Sequence, residues 1–424
     1  MSTHHLRASA AIAAGLLLAV AGSSNAQLPN ASPAATGLSG AYIARARGYD
    51  AVAWNPANLG LPGNPAFSLG MFALSGTSGL DPISLNDFAP YSDKVLPASK
   101  REEWLQKVTS NGGEDGTMDG GVTELAMSFG RLAFQVGTSM GASTKLTPDA
   151  FEAMMFGNVG RTGVLRTLSL GGSTARVGAF STGALSYGLG IGDSKTSHMA
   201  LGVTAKYVVG HFVAMAQDAG SQVGTSAITL NMPSVYSRPD SSANVGSGVG
   251  VDLGFAYTAQ KLSFGAAVQN VMNSFAWDQS KLYANKGTGL FDASHDTTDF
   301  GDQPYASAPA ALRQMVTDDK FKPVVAAGLA YAVNSITTFS ADARSQIGDG
   351  IVVGPKNQVG GGLEFRGIPI LPLRVGASYL TGGWGVSGGV GLKILGYELG
   401  IGAALRTVNG GKQPAITVNA INIR

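Results

Sequence analysis

The amino-acid sequence predicts an all-β protein, a transmembrane antiparallel β-barrel of about 14 strands with short helices in its long loops. Glycine makes up 60 of the 424 residues, and charged residues make up 13%, against roughly 25% in a soluble domain. Many segments alternate apolar and small residues with the two-residue period of strands. Sixteen strands is the alternative, because single-chain bacterial barrels have even strand numbers.

The composition also excludes several classes of function. Cysteine is absent, so the chain can form no disulfide, no thiolate metal site and no cysteine nucleophile. A net charge of +2 provides no basic field that could hold nucleic acid. We therefore expect no nucleic-acid partner, and no motif indicates a cofactor.

The first 26 residues predict a secretory signal peptide. Polar residues that include Arg7 precede an apolar stretch at residues 10–21, and small residues lead up to Ala26. The apolar stretch is too short to span a bilayer, and no later run reaches the roughly 20 apolar residues of a membrane helix. We expect the mature chain to begin at Gln27 and to lie in the bacterial outer membrane, in contact with its lipid.

Two registers alternate along the strand-like segments, most clearly in residues 249–257 and in the C-terminal third. The apolar register should face lipid, and it includes Leu253, Phe255, Leu399 and Ile401. A soluble sandwich, the alternative, would bury its apolar register and expose its long charged residues. Here the charges lie among glycine and serine, which indicates a lumen lined by Lys206, Asp252, Glu364, Arg374, Lys393, Glu398 and Arg406.

Some of these charges should pair across neighbouring strands. A two-residue turn at residues 395–396 places Lys393 opposite Glu398. A turn over residues 367–372 brings Glu364 beside Arg374. Pairing charges inside the barrel is the less costly way to keep ions out of lipid.

Beyond the signal peptide, the chain divides into two parts. Residues 27–65 precede the first strand, and residues 66–424 form the barrel, which long inserts interrupt at 75–120 and 272–322. Helices are expected near residues 98–107, at 148–156 after the N-cap Thr147, and near 308–315. Long inserts of such barrels lie on the outer side or fold into the lumen, whereas the inner turns are short.

The segment GLSGAYIARARGYDAVAWNPANLGL, residues 37–61, resembles the N-terminal signature of the FadL superfamily of outer-membrane proteins. LGVTAKYVVG, GVGVDLGFAYTAQKLSFGAAVQNV and VGGGLEFRGIPILPLRVGASY resemble later parts, most of all in the PorV-like and uncharacterised branches. The resemblance implies that residues 27–65 thread the lumen as a plug. It further implies a passive channel for hydrophobic small molecules or, alternatively, a PorV-like barrel that docks secreted or envelope proteins.

The residues that should form the plug or gate are Trp54, Asn55, Pro56 and Ala57. Asn55 precedes a proline and must be extended, while Pro56 can open a helical turn that the Asn55 side chain caps. Trp54 can bury a large apolar surface against a glycine-rich wall. A plug agrees with the size of the barrel, because fourteen strands enclose a void that their own side chains do not fill.

The sequence does not indicate an enzyme. Two G-x-S-x-G matches surround Ser139 and Ser387, but Ser387 lies within a strand pattern, whereas a nucleophile elbow needs a strand-to-helix turn. Acidic residues at positions 292, 296, 299 and 302 could offer oxygen ligands to calcium, yet their spacing fits no EF-hand loop. We expect a solvated acidic loop there and no metal site.

Overall fold

The computed structural model describes residues 31–193, 196–238, 244–294, 296–351 and 355–423. The expected signal peptide, residues 1–26, and the first four residues of the segment 27–65 lie outside the described residues.

Fourteen antiparallel strands, numbered β1–β14 in chain order, form a closed barrel, which confirms the predicted fold class and strand number. Each strand pairs with its neighbours in sequence, and β1 closes the barrel by pairing with β14 from Leu69↔Ile423 to Thr77↔Ala415. The strands are β1 Phe67–Asp81, β2 Glu114–Phe129, β3 Leu132–Leu146, β4 Thr174–Asp193, β5 Ser197–Gln217, β6 Gly246–Ala259, β7 Leu262–Asn273, β8 Val324–Ala332, β9 Thr337–Gln346, β10 Asn357–Phe365, β11 Leu373–Leu380, β12 Gly383–Ile394, β13 Tyr397–Val408 and β14 Gly411–Ile423.

The two ends of the barrel differ in their connections. At one end, here called the turn end, short turns join the strands, and the turn between β12 and β13 has positive φ at both Leu395 and Gly396, as a type I′ hairpin requires. The other end, here called the loop end, carries the long segments 82–113, 147–173, 218–245 and 274–323. The predicted insert at 272–322 matches the last of these closely.

The first predicted insert, 75–120, is wrong in its bounds. Strand β1 continues to Asp81 and β2 begins at Glu114, and the two strands stay paired as far as Asp81↔Asp115. Residues 75–81 and 114–120 are mostly small or polar, so they lack the apolar contrast that identifies a strand. Strands β4 and β5 are also longer than expected, with 20 and 21 residues instead of about ten.

The helices are short and lie before or between the strands. They are α1 Pro33–Gly37, α2 Ala51–Trp54, α3 Leu85–Phe88, α4 Ala98–Asn111, α5 Pro148–Phe156 and α6 Ala310–Asp318, with 3-10 turns at Gly48–Asp50, Pro56–Gly60, Ala89–Tyr91, Gln279–Lys281 and Tyr305–Ser307. The three helices expected from the sequence correspond to α4, α5 and α6. None of the helices in the described ranges is long and apolar enough to cross a membrane.

Short strands build a layer at the loop end. Leu168–Ser169, Gln222–Val223, Ile228–Asn231, Thr288–Phe291 and Asp296–Asp299 form a separate five-stranded sheet, and Ser234–Ser237, Ala276–Trp277, Leu282–Asn285 and Asp302–Pro304 extend the barrel sheet. The long loops therefore fold into defined structure over the barrel.

The two faces of the wall follow the predicted registers. Leu253, Leu399 and Ile401 point outward and are 47%, 47% and 51% exposed, while Phe255 is half-buried on the same face. The inward register carries glycine and the polar residues. A wall that is apolar outside and polar inside is the arrangement of a membrane barrel.

The outward register can be tested at Leu253. Arginine in place of an outward residue at the membrane midplane costs about 2–4 kcal/mol of unfolding free energy, because its charge must leave water. We expect Leu253→Arg to show this loss in urea unfolding from lipid vesicles. The control Leu395→Arg, at a turn residue that is 95% exposed, should unfold like the parent protein. Equal stability of the two variants, or a spin label at position 253 that reports water, would contradict the register.

Candidate functional site in the barrel lumen

Residues 31–65, here called the lumen segment, lie inside the barrel ahead of β1. Most of the segment is buried, and it touches the inner wall on all sides. It opens with α1, where the Ser32 side chain caps the helix and Pro33 occupies the first turn. It then passes through α2 and the turn Pro56–Gly60 before the chain enters the wall.

Glycines of the inner wall let the backbone of the lumen segment approach closely. A Cβ added at Gly202 would lie 2.1 Å from the Ala57 nitrogen, and one at Gly254 would lie 2.2 Å from Asn55 Oδ1. On the opposite wall, a Cβ at Gly389 would meet Gly37 at 3.1 Å. A side chain at these positions would displace the segment, so the glycine-rich inward register is a structural requirement of the filled lumen.

The four residues expected to form the plug or gate lie together at the centre of the segment. Trp54, Asn55, Pro56 and Ala57 are all buried, with Asn55 and Ala57 fully so. Asn55 is extended at φ −155°, and its Oδ1 accepts a hydrogen bond from the Ala57 amide at 3.1 Å, which caps the following turn. Its Nδ2 donates to the Phe255 carbonyl of the wall at 2.9 Å. The Trp54 ring packs edge-on against Tyr42, with centroids 5.5 Å apart.

Polar side chains of the wall satisfy the backbone of the segment. Asp342 Oδ2 accepts hydrogen bonds from the Tyr42 and Ile43 amides at 2.6 and 2.7 Å. Gln269 and Gln358 donate to segment carbonyls, each at 2.7 Å. The sequence analysis missed these three wall residues, although each is a polar side chain at an inward position of its strand.

A network of charges links the segment to the wall. Glu364 forms an ion pair with Arg45 of the segment and accepts from Arg374 Nε at 2.7 Å. Arg374 also reaches Glu398 at 3.2 Å, and Glu398 pairs with Lys393 at 3.4 Å. The cross-strand pairings predicted for these charges, Glu364↔Arg374 and Lys393↔Glu398, are both observed. Arg45, which the sequence analysis did not single out, completes the network.

The other expected lumen charges lie apart from this network. Lys206 and Asp252 form a buried ion pair at 2.6 Å, and Asn270 joins them by accepting from Lys206 and donating its amide to Asp252. Arg406 lines a separate cavity of about 160 Å³, which Trp54 also borders. The predicted lumen charges therefore lie at three separate places in the structure.

The segment 274–323, here called the loop-end insert, covers the lumen from the other side. Its Phe275, Trp277 and Phe321 pack against Phe180 of β4, with ring centroids 5.1–5.5 Å apart. Trp277 Nε1 donates to Asp319 at 2.8 Å, and that carboxylate also pairs with Arg176 of the wall. The barrel is thus filled by the lumen segment and covered by an apolar aromatic cluster.

Ser387 and the acidic loop, two of the features that could suggest chemistry, make structural contacts. Ser387 Oγ lies mid-strand and bonds to the Gly37 carbonyl and to Ser39 Oγ, so it serves to hold the lumen segment. In the acidic loop, Asp299 pairs with Lys286 and Asp302 pairs with Arg238. Within the described ranges, no three His, Cys, Asp or Glu residues are placed to hold a metal ion.

These features define a class: a 14-stranded membrane-type β-barrel whose lumen is occupied by its own N-terminal segment. The chain belongs to the family of unknown function DUF5723, whose sequence model matches residues 60–272. No curated protein matches the chain in sequence.

Solved structures with a similar fold include transporters. The toluene transporter TbuX of Ralstonia pickettii is 16% identical, has a TM-score of 0.50, and aligns over 93% of this chain and 98% of its own. A FadL homologue of Pseudomonas aeruginosa is 11% identical with a TM-score of 0.49, over 94% and 99% of the two chains. At 16% identity, the likeness to TbuX establishes the fold alone. That fold is the one that the resemblance to the FadL superfamily predicted.

The ion network predicts unequal effects of two single substitutions. Glu364→Gln leaves Arg45 and Arg374 without their shared buried carboxylate, which should cost about 3–5 kcal/mol. Lys393→Met should cost under about 1 kcal/mol, because the Lys393 side chain is 41% exposed and Glu398 keeps Arg374 as a partner. Urea unfolding in lipid vesicles measures both. Similar losses for the two variants would show that Glu364 is not the centre of the network.

Proposed function

We propose that the protein is an outer-membrane channel through which hydrophobic small molecules enter the cell passively, with the lumen segment as its gate. The observation that carries this proposal is how the segment is held. Side-chain hydrogen bonds, one ion pair and close packing attach it to the wall, and it takes no part in the strand ladder. The segment can therefore move while every barrel strand keeps its partners.

The proposal includes an orientation in the membrane and a class of solute. Long inserts of such barrels lie outside the cell, so the loop end faces outward and the turn end faces the periplasm. A hydrophobic solute is supported by the fold shared with the toluene transporter TbuX and by the aromatic cluster around Phe180 and Trp277 at the loop end. That cluster offers an apolar environment on the path into the lumen.

A disulfide tether tests the gate directly, because the native chain has no cysteine. Ser39 Oγ of the segment and Ser387 Oγ of β12 lie 2.7 Å apart, so the double variant Ser39→Cys with Ser387→Cys should form a disulfide that fixes the segment. We expect cells with the oxidised variant to lose uptake of radiolabelled toluene, and a reductant to restore it.

The matched control places the tether within the wall. Ser186 Oγ and Thr204 Oγ1, on β4 and β5, also lie 2.7 Å apart, so Ser186→Cys with Thr204→Cys joins two strands and leaves the segment free. This variant should take up toluene whether oxidised or reduced. Undiminished uptake by the oxidised Ser39–Ser387 variant would rule out movement of the segment as the gate.

Removing the barrier should open the pore. Deletion of residues 37–61 leaves the ladder intact, and we expect a folded barrel with high conductance in planar bilayers. Trp54→Ala removes the largest apolar side chain of the segment, at a cost of about 3–5 kcal/mol, and should raise the frequency of open events. A deletion variant that conducts no better than the parent protein would show that the segment does not seal the pore. One that fails to fold would make the segment part of the barrel core.

A second candidate function is the docking of secreted or envelope proteins, and one observation favours it. Helices α4 and α5 pack together over Trp104 and Phe151 into a defined layer at the loop end. Hydrogen bonds from the Arg161 guanidinium lower the pKa of the Glu102 carboxyl and fasten this layer, while Val95 beside it is 91% exposed. The tether separates the two functions, because a docking protein loses nothing when its lumen segment is fixed.

A further inference from the structure

The cavity of about 160 Å³ beside the lumen segment, here called the lumen cavity, has a chemistry unlike that of the aromatic cluster. It lies between the segment and the arc of wall that runs from β9 through β14 to β1, β2 and β3. Trp54 and Ser39 border it on the side of the segment. Serine and threonine hydroxyls occupy much of the wall side, among them Ser75, Thr77 and Ser378.

Large apolar side chains contribute little to this cavity. Of those among its lining residues, Val386 and Ile416 are 47% and 54% exposed on the outer face of the wall. Among the described lining residues, Trp54 alone presents a large apolar side chain from within the lumen. An acyl chain or an aromatic solute would find few partners here, whereas a polar solute would find many hydrogen-bonding groups.

The charges in the lining favour an anion. They are two guanidinium groups, Arg344 and Arg406, and one carboxylate, Asp119, so the lining carries a net positive charge. The two guanidinium groups are close enough to repel each other, and Asp119 is close enough to attract Arg406. Among the described residues, none accepts a hydrogen bond from the Arg406 guanidinium. Two cations inside a barrel that excludes much of the solvent attract an anion far more strongly than they would in water.

The missing side chain at Gly385 leaves room for the Arg406 side chain. Gly385 pairs with Arg406 across the strands, and a Cβ at Gly385 would lie 3.2 Å from Arg406 Cγ and 3.3 Å from Ser378 Oγ. The Arg406 stem therefore lies over Gly385 beside a hydroxyl. A guanidinium and hydroxyl groups around one cavity are the donors that bind oxyanions well.

We propose that the lumen cavity binds a small oxyanion, a carboxylate or a phosphate, between Arg344 and Arg406. At about 30 Å³ for each water, the cavity holds the volume of roughly five waters, which suits a compact anion. This ligand class differs from the hydrophobic solutes proposed above, and the site needs no movement of the lumen segment.

Calorimetric titration of the full-length protein in lipid nanodiscs tests the site, with inorganic phosphate in one arm and acetate in the other. We expect saturable binding of at least one, and the arm that binds identifies the group recognised. Arg406→Gln should weaken binding about tenfold or more, because it removes charged hydrogen bonds to the anion. Asp119→Asn should tighten binding, because it removes a carboxylate from the lining. The control Arg161→Gln, in the loop layer, should leave the affinity unchanged.

Electrostatic recognition predicts that Arg406→Gln weakens anion binding and Asp119→Asn strengthens it. Structural damage to the cavity would instead weaken anion binding in both variants. No saturable binding in either arm overturns the proposal, as does an Arg406→Gln variant that binds like Arg161→Gln. If the Arg406→Gln variant does not fold, the Asp119→Asn variant is the deciding test. Anion binding that is unchanged or weaker in the Asp119→Asn variant then overturns the proposal. Toluene uptake is measured separately, so failure here leaves the proposed channel function standing.

Discussion

Close packing of the lumen segment against glycines of the inner wall is the constraint on which the rest of this structure depends. A barrel of fourteen strands is too wide for its own side chains to fill, and glycine lets the backbone of another segment lie directly on the wall. Gly202 and Gly254 meet the turn at Asn55–Ala57, while Gly389 meets the start of the segment from the other side. Wall glycines therefore lie where two pieces of backbone touch, because any side chain there would separate them.

The backbone of the lumen segment carries polar groups whose hydrogen bonds the barrel wall has to satisfy. Segment amides and carbonyls buried there need hydrogen-bond partners, and they cannot find them in the strand ladder, since the barrel strands are already paired. Asp342, Gln269 and Gln358 supply those partners from three different strands. Asn58 does the same within the segment by donating to the Ile43 carbonyl. Each bond ties a particular residue of the segment to a particular strand, so together they determine its path.

Buried charges add specificity to that path. Glu364 is 2% exposed and would be costly without partners, but it collects Arg45 from the segment and Arg374 from the neighbouring strand. A shift of the segment would separate Arg45 from this carboxylate and leave charge uncompensated in the lumen. The network thus holds the segment in one position. The lumen combines two environments, an aromatic cover at the loop end and a cationic, hydroxyl-lined cavity beside the segment.

The sequence by itself determined what depends on near neighbours. The two-residue period placed Leu253 and Ile401 outside, and the short turn at residues 395–396 set the pairing of Lys393 with Glu398, because strand register follows directly from turn length. The cap at Asn55 and the helices α4 to α6 were predictable for the same reason. Strands made of small polar residues, such as the end of β1, could not be predicted, because their sequence shows no alternation of apolar and polar residues.

Only the tertiary structure decided which distant residues meet in the lumen. Arg45 pairs with Glu364, and Asp342 binds the amides of Tyr42 and Ile43, across about 300 residues of sequence. Arg406 looked like another member of one set of lumen charges, yet it lines its own cavity with Arg344. Such contacts leave no period and no spacing in the sequence. They arise when the barrel closes and brings strands from opposite ends of the chain around the same segment, so only the closed structure shows them.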